Sequence, residues 1–459
     1  MRAEKTLWFE SALLPLGWAR RVRITACDGN IRSVEVGMEP TEADERHGVG
    51  LPGLPNLHSH AFQRALAGLT ERRGPTEDSF WTWRELMYRF VERMDPEQLE
   101  AITALAFAEM LEAGFTRVGE FHYLHQDRSG VPFADPGELA TRIAAAAADT
   151  GIALTLLPTF YAHGGFGARA PSARQRRFVT DLERFARIVE SSRKAARGLA
   201  GSNVGVAPHS LRAVAAEELP AVVALAAGGP VHIHIAEQVR EVEECVAWCG
   251  RRPIECLFEA SPVDDRWCLV HATHADPQEL RRIAAAGAVV GLCPITEASL
   301  GDGIFPAAEL RALGGRLGIG TDSNVLLDAG AELRALEYSQ RLKRRTRNVL
   351  AGEAGGSTGR SLFEAALAGG AQALLGAAAG RQVGLVVEAP LDLVSLDAAH
   401  PALIERREDE ILDSWIFAAG REVIDCVWRA GEKVVEGGRH RRRDALVARY
   451  HRAVKALLA

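Results

Sequence analysis

No stretch of the 459-residue sequence is apolar for long enough to cross a bilayer, and the N-terminal MRAEKTLWFESALLPLGW is too short of apolar residues for a secretory leader. A cytoplasmic protein is therefore expected. Seven scattered cysteines, an odd number, argue against a disulfide framework. Cys245 and Cys249 are spaced as neighbours on a helix, but no further Cys or His pair follows at a zinc-ribbon distance. Buried or half-buried thiols are the expectation there. Neither charge sign is in excess: 60 acidic against 54 basic residues leave a net charge of −6. Nothing in that balance calls for nucleic acid or an anionic membrane as a partner. The one basic run, Arg439-His440-Arg441-Arg442-Arg443, is short and terminal and reads as a solvated helix start. Low-complexity tracts and solenoid repeats are absent as well.

What is present is ordinary in bulk and patterned in detail. Apolar residues make up 47% and charged residues 25%, the proportions of a globular protein with room for one large α/β domain and a smaller one. From about residue 49 to residue 324 a short apolar run, ending in polar residues and followed by an amphipathic stretch, recurs eight times. The runs are VGLPGLPNLHSH (49–60), TRVGEFHY (116–123), ALTLLPTF (153–160), NVGVAPHSL (203–211), VHIHIAEQ (231–238), CLVHATHA (268–275), AVVGLCPITEASLG (288–301) and RLGIGTDSN (316–324). Apolar runs without alternation are what strands covered on both faces look like. PEQLEAITALAFAEMLEAG and ARQRRFVTDLERFARIVESSRKAARG carry apolar residues at helical spacing. Eight such units predict a (β/α)8 barrel with its chemistry at the C-terminal strand ends. Residues 1–48 and 383–459 are strand-like with Gly turns before a terminal helix, and predict one small β-sandwich domain built from both termini beside a 49–382 barrel. The Gly-rich AGEAGGSTGR near residues 350–360 reads as a loop.

Ten of the 14 histidines lie between residues 58 and 274, most of them closing a predicted strand. Any one of them alone reads as a satisfied core imidazole. Their gathering at the same end of successive strands does not. His58 and His60 alternate after the first strand and so face one side together. His232 and His234 are also two apart, and Glu237 follows His234 by three. His271 ends CLVH in the sixth run, and Asp322 follows RLGIG in the eighth. Three imidazoles and a carboxylate suit zinc and also accept iron or manganese.

That order, His-x-His, His, His, Asp over eight strand ends, resembles the amidohydrolase superfamily, and His-Ile-Ala-Glu at strand five resembles its deaminase branch. The resemblance implies His58, His60, His234 and Asp322 as ligands of a divalent metal, and Glu237, His271 and Asp322 as proton-transfer residues. No lysine ends strand four to bridge two metals, so one ion per chain, zinc by preference, is expected. His232, given no ligand role by the resemblance, reads as a buried structural imidazole. His122 and His125 take no assigned role.

Gln63, Arg84, Tyr123, His209 and Arg212 also fall at or near strand ends. Arginines at a barrel mouth read carboxylates by a bidentate fork, which points to a small dianionic substrate; a helix-surface ion pair is the plainer role for either. The stretches LPNLHSHAFQRALAGL, DSFWTWRELMYR, EFHYLH, PHSLRAV, VHIHIAEQ, RWCLVHATHAD and GDGIFP resemble the formimidoylglutamate deiminases of bacterial histidine degradation. Membership implies hydrolytic deimination of N-formimino-L-glutamate, a homodimer, and the same five residues holding the two carboxylates and the formimino group. One departure is Thr321-Asp322-Ser323-Asn324, where the family pattern is Ser-Asp-Ser-His; the carboxylate is kept and only its surroundings differ. A guanine, cytosine or adenosine-type deaminase of the same superfamily is the nearest rival. A catalytically silent metabolite-binding barrel is a more distant one, as is a dihydropyrimidinase-like amidase, which would want the missing lysine.

Overall fold

The computed structural model describes residues 4–74, 78–376 and 383–459. The expected barrel end at residue 382 lies outside these. Among the described residues, the chain opens with β1 (Lys5–Leu14), β2 (Gly17–Cys27), β3 (Asn30–Glu35) and β4 (Glu45–Pro52). The barrel strands follow: β5 (Leu54–Ser59), β6 (Phe115–His122), β7 (Ala153–Phe160), the interrupted pair β8 (Asn203–Val204) and β9 (Ala207–Pro208), β10 (Val231–Ile235), β11 (Trp267–His271), β12 (Val289–Leu292) and β13 (Arg316–Ile319). All their pairings are parallel. They form two arcs, β5 to β9 and β10 to β13, joined by single parallel bridges Ser59–Asp322 and Val206–Val231. This is the (β/α)8 barrel read from the sequence, with β5, β6 and β7 buried along their whole length.

The terminal strands β14 (Leu393–Leu396), β15 (Ile424–Arg429), β16 (Glu432–Glu436) and β17 (Arg439–His440) extend the opening four into one eight-stranded sheet, ordered β17-β16-β15-β14-β4-β1-β2-β3. Both halves contribute to a separate apolar core, with Leu7, Phe9, Val22 and Ile24 from one end and Leu393, Cys426 and Trp428 from the other. A single sheet thus encloses the core that a sandwich was expected to hold. The first apolar run is divided between the two sheets, because β4 joins the terminal sheet and β5 the barrel. Gly53 is the crossing point: a Cβ there would sit 2.2 Å from Thr116 Cγ2. The second helix read from the sequence also differs, since Asp181 caps a helix that starts only at Leu182. Likewise the Gly-rich segment ends earlier than expected, at a helix capped by Ser357.

Leu57 plugs the barrel directly beneath the strand ends. Cβ atoms at Gly291 and Gly318 would come within 2.7 Å and 2.5 Å of its methyls. At Gly320 a Cβ would lie 2.7–2.9 Å from the O, N and Cβ of His58. That close approach lets the amides of Thr321 and Asp322 both donate to His58 O, at 3.0 Å each, while His60 N donates to Asp322 O at 2.8 Å. The backbone thus ties the first and last strands together at the residues expected to carry chemistry.

Candidate metal centre and active site

His58, His60, His234 and Asp322 are all buried, and one donor atom from each lies within 4.8 Å of every other. His58 Nε2 and His234 Nε2 are 3.1 Å apart, and Asp322 Oδ1 is 3.4 Å from His58 Nε2 and 3.3 Å from His60 Nε2. Donors about 2.0–2.1 Å from a tetrahedral zinc are about 3.3–3.4 Å from one another, so the spacing fits one ion. Ring protonation fits too. His60 Nδ1 donates to Phe121 O at 2.8 Å and His234 Nδ1 to His209 O at 3.1 Å, which leaves each neutral ring's Nε2 as a lone pair facing its neighbours. Burial pushes His58 down to about 3 and His60 and His234 below their ordinary range, so the imidazoles are neutral. Burial alone would raise Asp322, but the surrounding imidazoles, His58 foremost, outweigh it and hold the group ionised. Three imidazole nitrogens and an ionised carboxylate converging at these distances suit a cation among them.

Beside these four stand Glu237 and His271. His271 Nε2 is 3.8 Å from Glu237 Oε1 and 4.0 Å from Asp322 Oδ2. Burial raises the Glu237 carboxyl to about 7 against the opposing charges of His271 and Arg212. For His271, burial would lower the pKa, but the carboxylates of Glu237, Glu297 and Asp322 push it up to about 10. Glu297 was not singled out in the sequence. Its Oε1 lies 3.2 Å from His271 Nδ1 and also accepts from Cys293 N at 2.9 Å. It follows the seventh strand in CPITEASLG, where a carboxylate next to a buried run was the available signal. His271, Asp322 and Asn324 have left-handed backbones, with φ of 68°, 43° and 56°. Such strain concentrates where side chains are held for function. Asn324 also accounts for the departure from the family pattern. Its Nδ2 donates to Ser59 Oγ at 3.1 Å, and its Oδ1 accepts from Thr321 Oγ1 at 2.6 Å, joining the two strand ends.

A cavity of about 150 Å³ opens over this cluster, and its lining includes every residue expected as a ligand, proton-transfer or substrate-binding group except His58. Gln63 Nε2 donates to Tyr123 Oη at 2.9 Å, leaving Gln63 Oε1 buried with no partner. Arg84 Nε and Arg212 Nε are also buried without acceptors, and Arg212 Nη2 stands 3.8 Å from Glu237 Oε2. The helix Phe80–Val91 roofs the cavity and brings Trp81 beneath three guanidiniums. Those of Arg240, Arg84 and Arg212 lie 4.5, 4.6 and 5.7 Å from its ring. Arg240, Arg169 and Tyr161 line the same space and were not foreseen. His209 is half-buried and neutral, its Nδ1 3.0 Å from Ser210 Oγ. By contrast His232 donates from Nε2 to Ala373 O at 2.8 Å, and His125 from Nε2 to Thr159 O at 2.8 Å, both away from the four converging donors. His122 is buried with neither ring nitrogen partnered.

Residues 49–434 match the model of the Amidohydrolase family, and residues 6–48 match that of "Formimidoylglutamate deiminase HutF, N-terminal domain". A curated formimidoylglutamate deiminase of Pseudomonas aeruginosa is 51% identical over 439 residues, 95% of each chain. The chain belongs to the amidohydrolase family, in its formimidoylglutamate deiminase branch. The crystal structure of an amidohydrolase from Brucella melitensis superposes on this family member with a TM-score of 0.95 at 53% identity, over 99% of this chain and 100% of that one. An adenosine deaminase of Xanthomonas campestris, solved with bound zinc, shares the fold at a TM-score of 0.81 and 23% identity, over 99% and 98% of the two chains.

Proposed function

We propose that this family member hydrolyses N-formimino-L-glutamate to N-formyl-L-glutamate and ammonia, a step of histidine degradation. The observation that carries the reading is the cavity itself, where buried, unpartnered guanidinium nitrogens of Arg84 and Arg212 face a proton-transfer pair over four converging donors. Buried donors without acceptors are rare in folded proteins, and two of them in one pocket suit a ligand with two carboxylates. A nucleobase would leave them unpaired.

His58, His60, His234 and Asp322 would hold one divalent ion, zinc by their donor set. Such an ion, when bound, polarises water and lowers its pKa from 15.7 to about 7. The rest is work for side chains. Asp322, held ionised, accepts the proton of the attacking water, and His271, its ring kept protonated by the carboxylates around it, orients that water. Glu237, raised into the neutral range by burial, delivers a proton to the formimino nitrogen as water adds to the carbon beside it. A second transfer makes the departing group ammonia, and the C–N bond to it breaks. Gln63 Oε1 suits the remaining N–H of the amidine, and Tyr123 and His209 shape the pocket around it. The product assay is direct: ammonia and N-formyl-L-glutamate should appear in equal amounts. Release of glutamate or of formamide instead would reject the reaction.

Glu297 acts through His271, as a positioning residue. Its carboxylate fixes the ring and raises its pKa, so Glu297→Gln should lower kcat by about 10- to 100-fold. With that negative charge gone, the His271 pKa falls, and the limb of the pH–rate profile belonging to His271 should move to lower pH. A lower rate with an unmoved profile would make Glu297 merely structural.

Among the described residues no helix is long and apolar enough to cross a membrane. Work in the cytoplasm, assembly as a homodimer and a division into a 49–382 barrel with a composite terminal domain (1–48 with 383–459) complete the proposal, supported by the family resemblance.

A further inference from the structure

Cys245 and Cys249 sit one turn apart near the end of the helix Val239–Cys249. Gly250 ends that helix in a left-handed conformation, with φ of 75°, and Pro253 opens the next, Pro253–Ala260. This tight corner folds Cys256 back onto the first two. Cys256 Sγ lies 3.8 Å from Cys245 Sγ and 3.2 Å from Cys249 Sγ, and all three sulfurs fall within 4.8 Å of one another. The sequence alone did not bring Cys256 into view, because its partner pair lies across a turn.

We propose that Cys245, Cys249 and Cys256 form a second metal site, separate from the His-Asp centre, for a soft ion that prefers thiolate sulfur, of the zinc(II) or copper(I) class. Thiolates about 2.3 Å from a shared tetrahedral ion stand about 3.8 Å apart, and the three sulfurs need shifts of only some tenths of an ångström to reach that spacing. A disulfide between Cys249 and Cys256 would use two sulfurs and leave Cys245 unexplained. Cys245 is buried, while Cys249 and Cys256 are half-buried and line a cavity of about 480 Å³, from which an exogenous fourth ligand can reach the ion. Binding releases the thiol protons to solvent and pins the corner between two helices, the first of which starts two residues after Glu237.

Cadmium(II) is a visible probe for this site, because its bond to thiolate absorbs in the near ultraviolet while imidazole and carboxylate ligands stay silent there. Titrating the reduced holoenzyme should raise that absorption to a plateau at one equivalent per chain. Cys245→Ser and Cys256→Ser should each lose most of it with ammonia release unchanged, which also excludes the buried Cys293 as its source. On the wild-type chain, independent of how those variants fold, one equivalent of cadmium should protect Cys249 and Cys256 from iodoacetamide, read by peptide mass spectrometry. No absorption and no protection would overturn the proposal. So would a band that survives both substitutions, or a Cys249–Cys256 disulfide whose reduction restores no metal uptake.

Discussion

Glu237→Gln should leave one divalent ion per chain and reduce turnover of N-formimino-L-glutamate by roughly 10²–10⁴-fold, the range for loss of a positioned acid–base group. The amide keeps the size of the side chain but cannot carry a proton to nitrogen. Glu237 is not among the four converging donors, and its backbone is fixed from elsewhere: the amides of Ala236 and Glu237 donate to the Glu241 carboxylate at 3.2 and 3.1 Å. The loop should therefore hold its place in the variant. Elemental analysis beside steady-state kinetics checks both halves of the result. A variant that loses its ion but regains full activity when metal is added back would make Glu237 structural. Two ions per chain in wild-type protein with both the His-Asp centre and the thiols counted separately would still leave one at the centre; two at the centre would contradict the single-ion reading.

Arg212→Met should cost about 2–5 kcal/mol in transition-state binding, a loss of about 30- to 5,000-fold in kcat/KM, because one carboxylate would then be desolvated with no partner. Arg212 is only 9% exposed, and its Nε has no acceptor within the protein, so that N–H is held ready for a ligand. The contact with Glu237 at 3.8 Å is too long for a hydrogen bond. A neutral amidine lacking both carboxylates gains nothing from the guanidinium, and the same variant should turn it over nearly as wild type does. Full activity of Arg212→Met on N-formimino-L-glutamate would reject the two-carboxylate reading and leave the hydrolytic centre standing.

The parts of the site that were legible are those fixed by strand periodicity. His58 and His60 had to share a side, and a carboxylate after the eighth apolar run had to meet them if the barrel closed. Periodicity gives His232 and His234 one side as well, and only the structure separates them: His232 Nε2 donates to Ala373 O, while His234 joins the converging donors. Glu297, Arg169, Arg240 and Tyr161 were not legible, because each comes in from a loop or helix whose path depends on tertiary packing, the last three to line the cavity and Glu297 to meet His271. Glu297 needed the helix Pro294–Leu300 to turn its carboxylate back on His271. Cys256 needed the corner at Gly250. In the fold, the eight-strand count was readable, but the split of the first run was not. No local pattern says that Gly53 passes between Thr116 and the terminal sheet, or that β4 pairs parallel with β1 and antiparallel with β14. Asn324 is a similar case: the departure from the family pattern is absorbed by a hydrogen bond to Ser59 Oγ, which only the closed barrel brings near.

The proposed substrate is tested most directly by kcat/KM for N-formimino-L-glutamate set beside guanine, cytosine and adenosine, with ammonia release as the common readout. The pocket's unpaired guanidiniums predict that the dianionic amidine is by far the best of the four. A nucleobase or nucleoside turned over more efficiently than N-formimino-L-glutamate would contradict it.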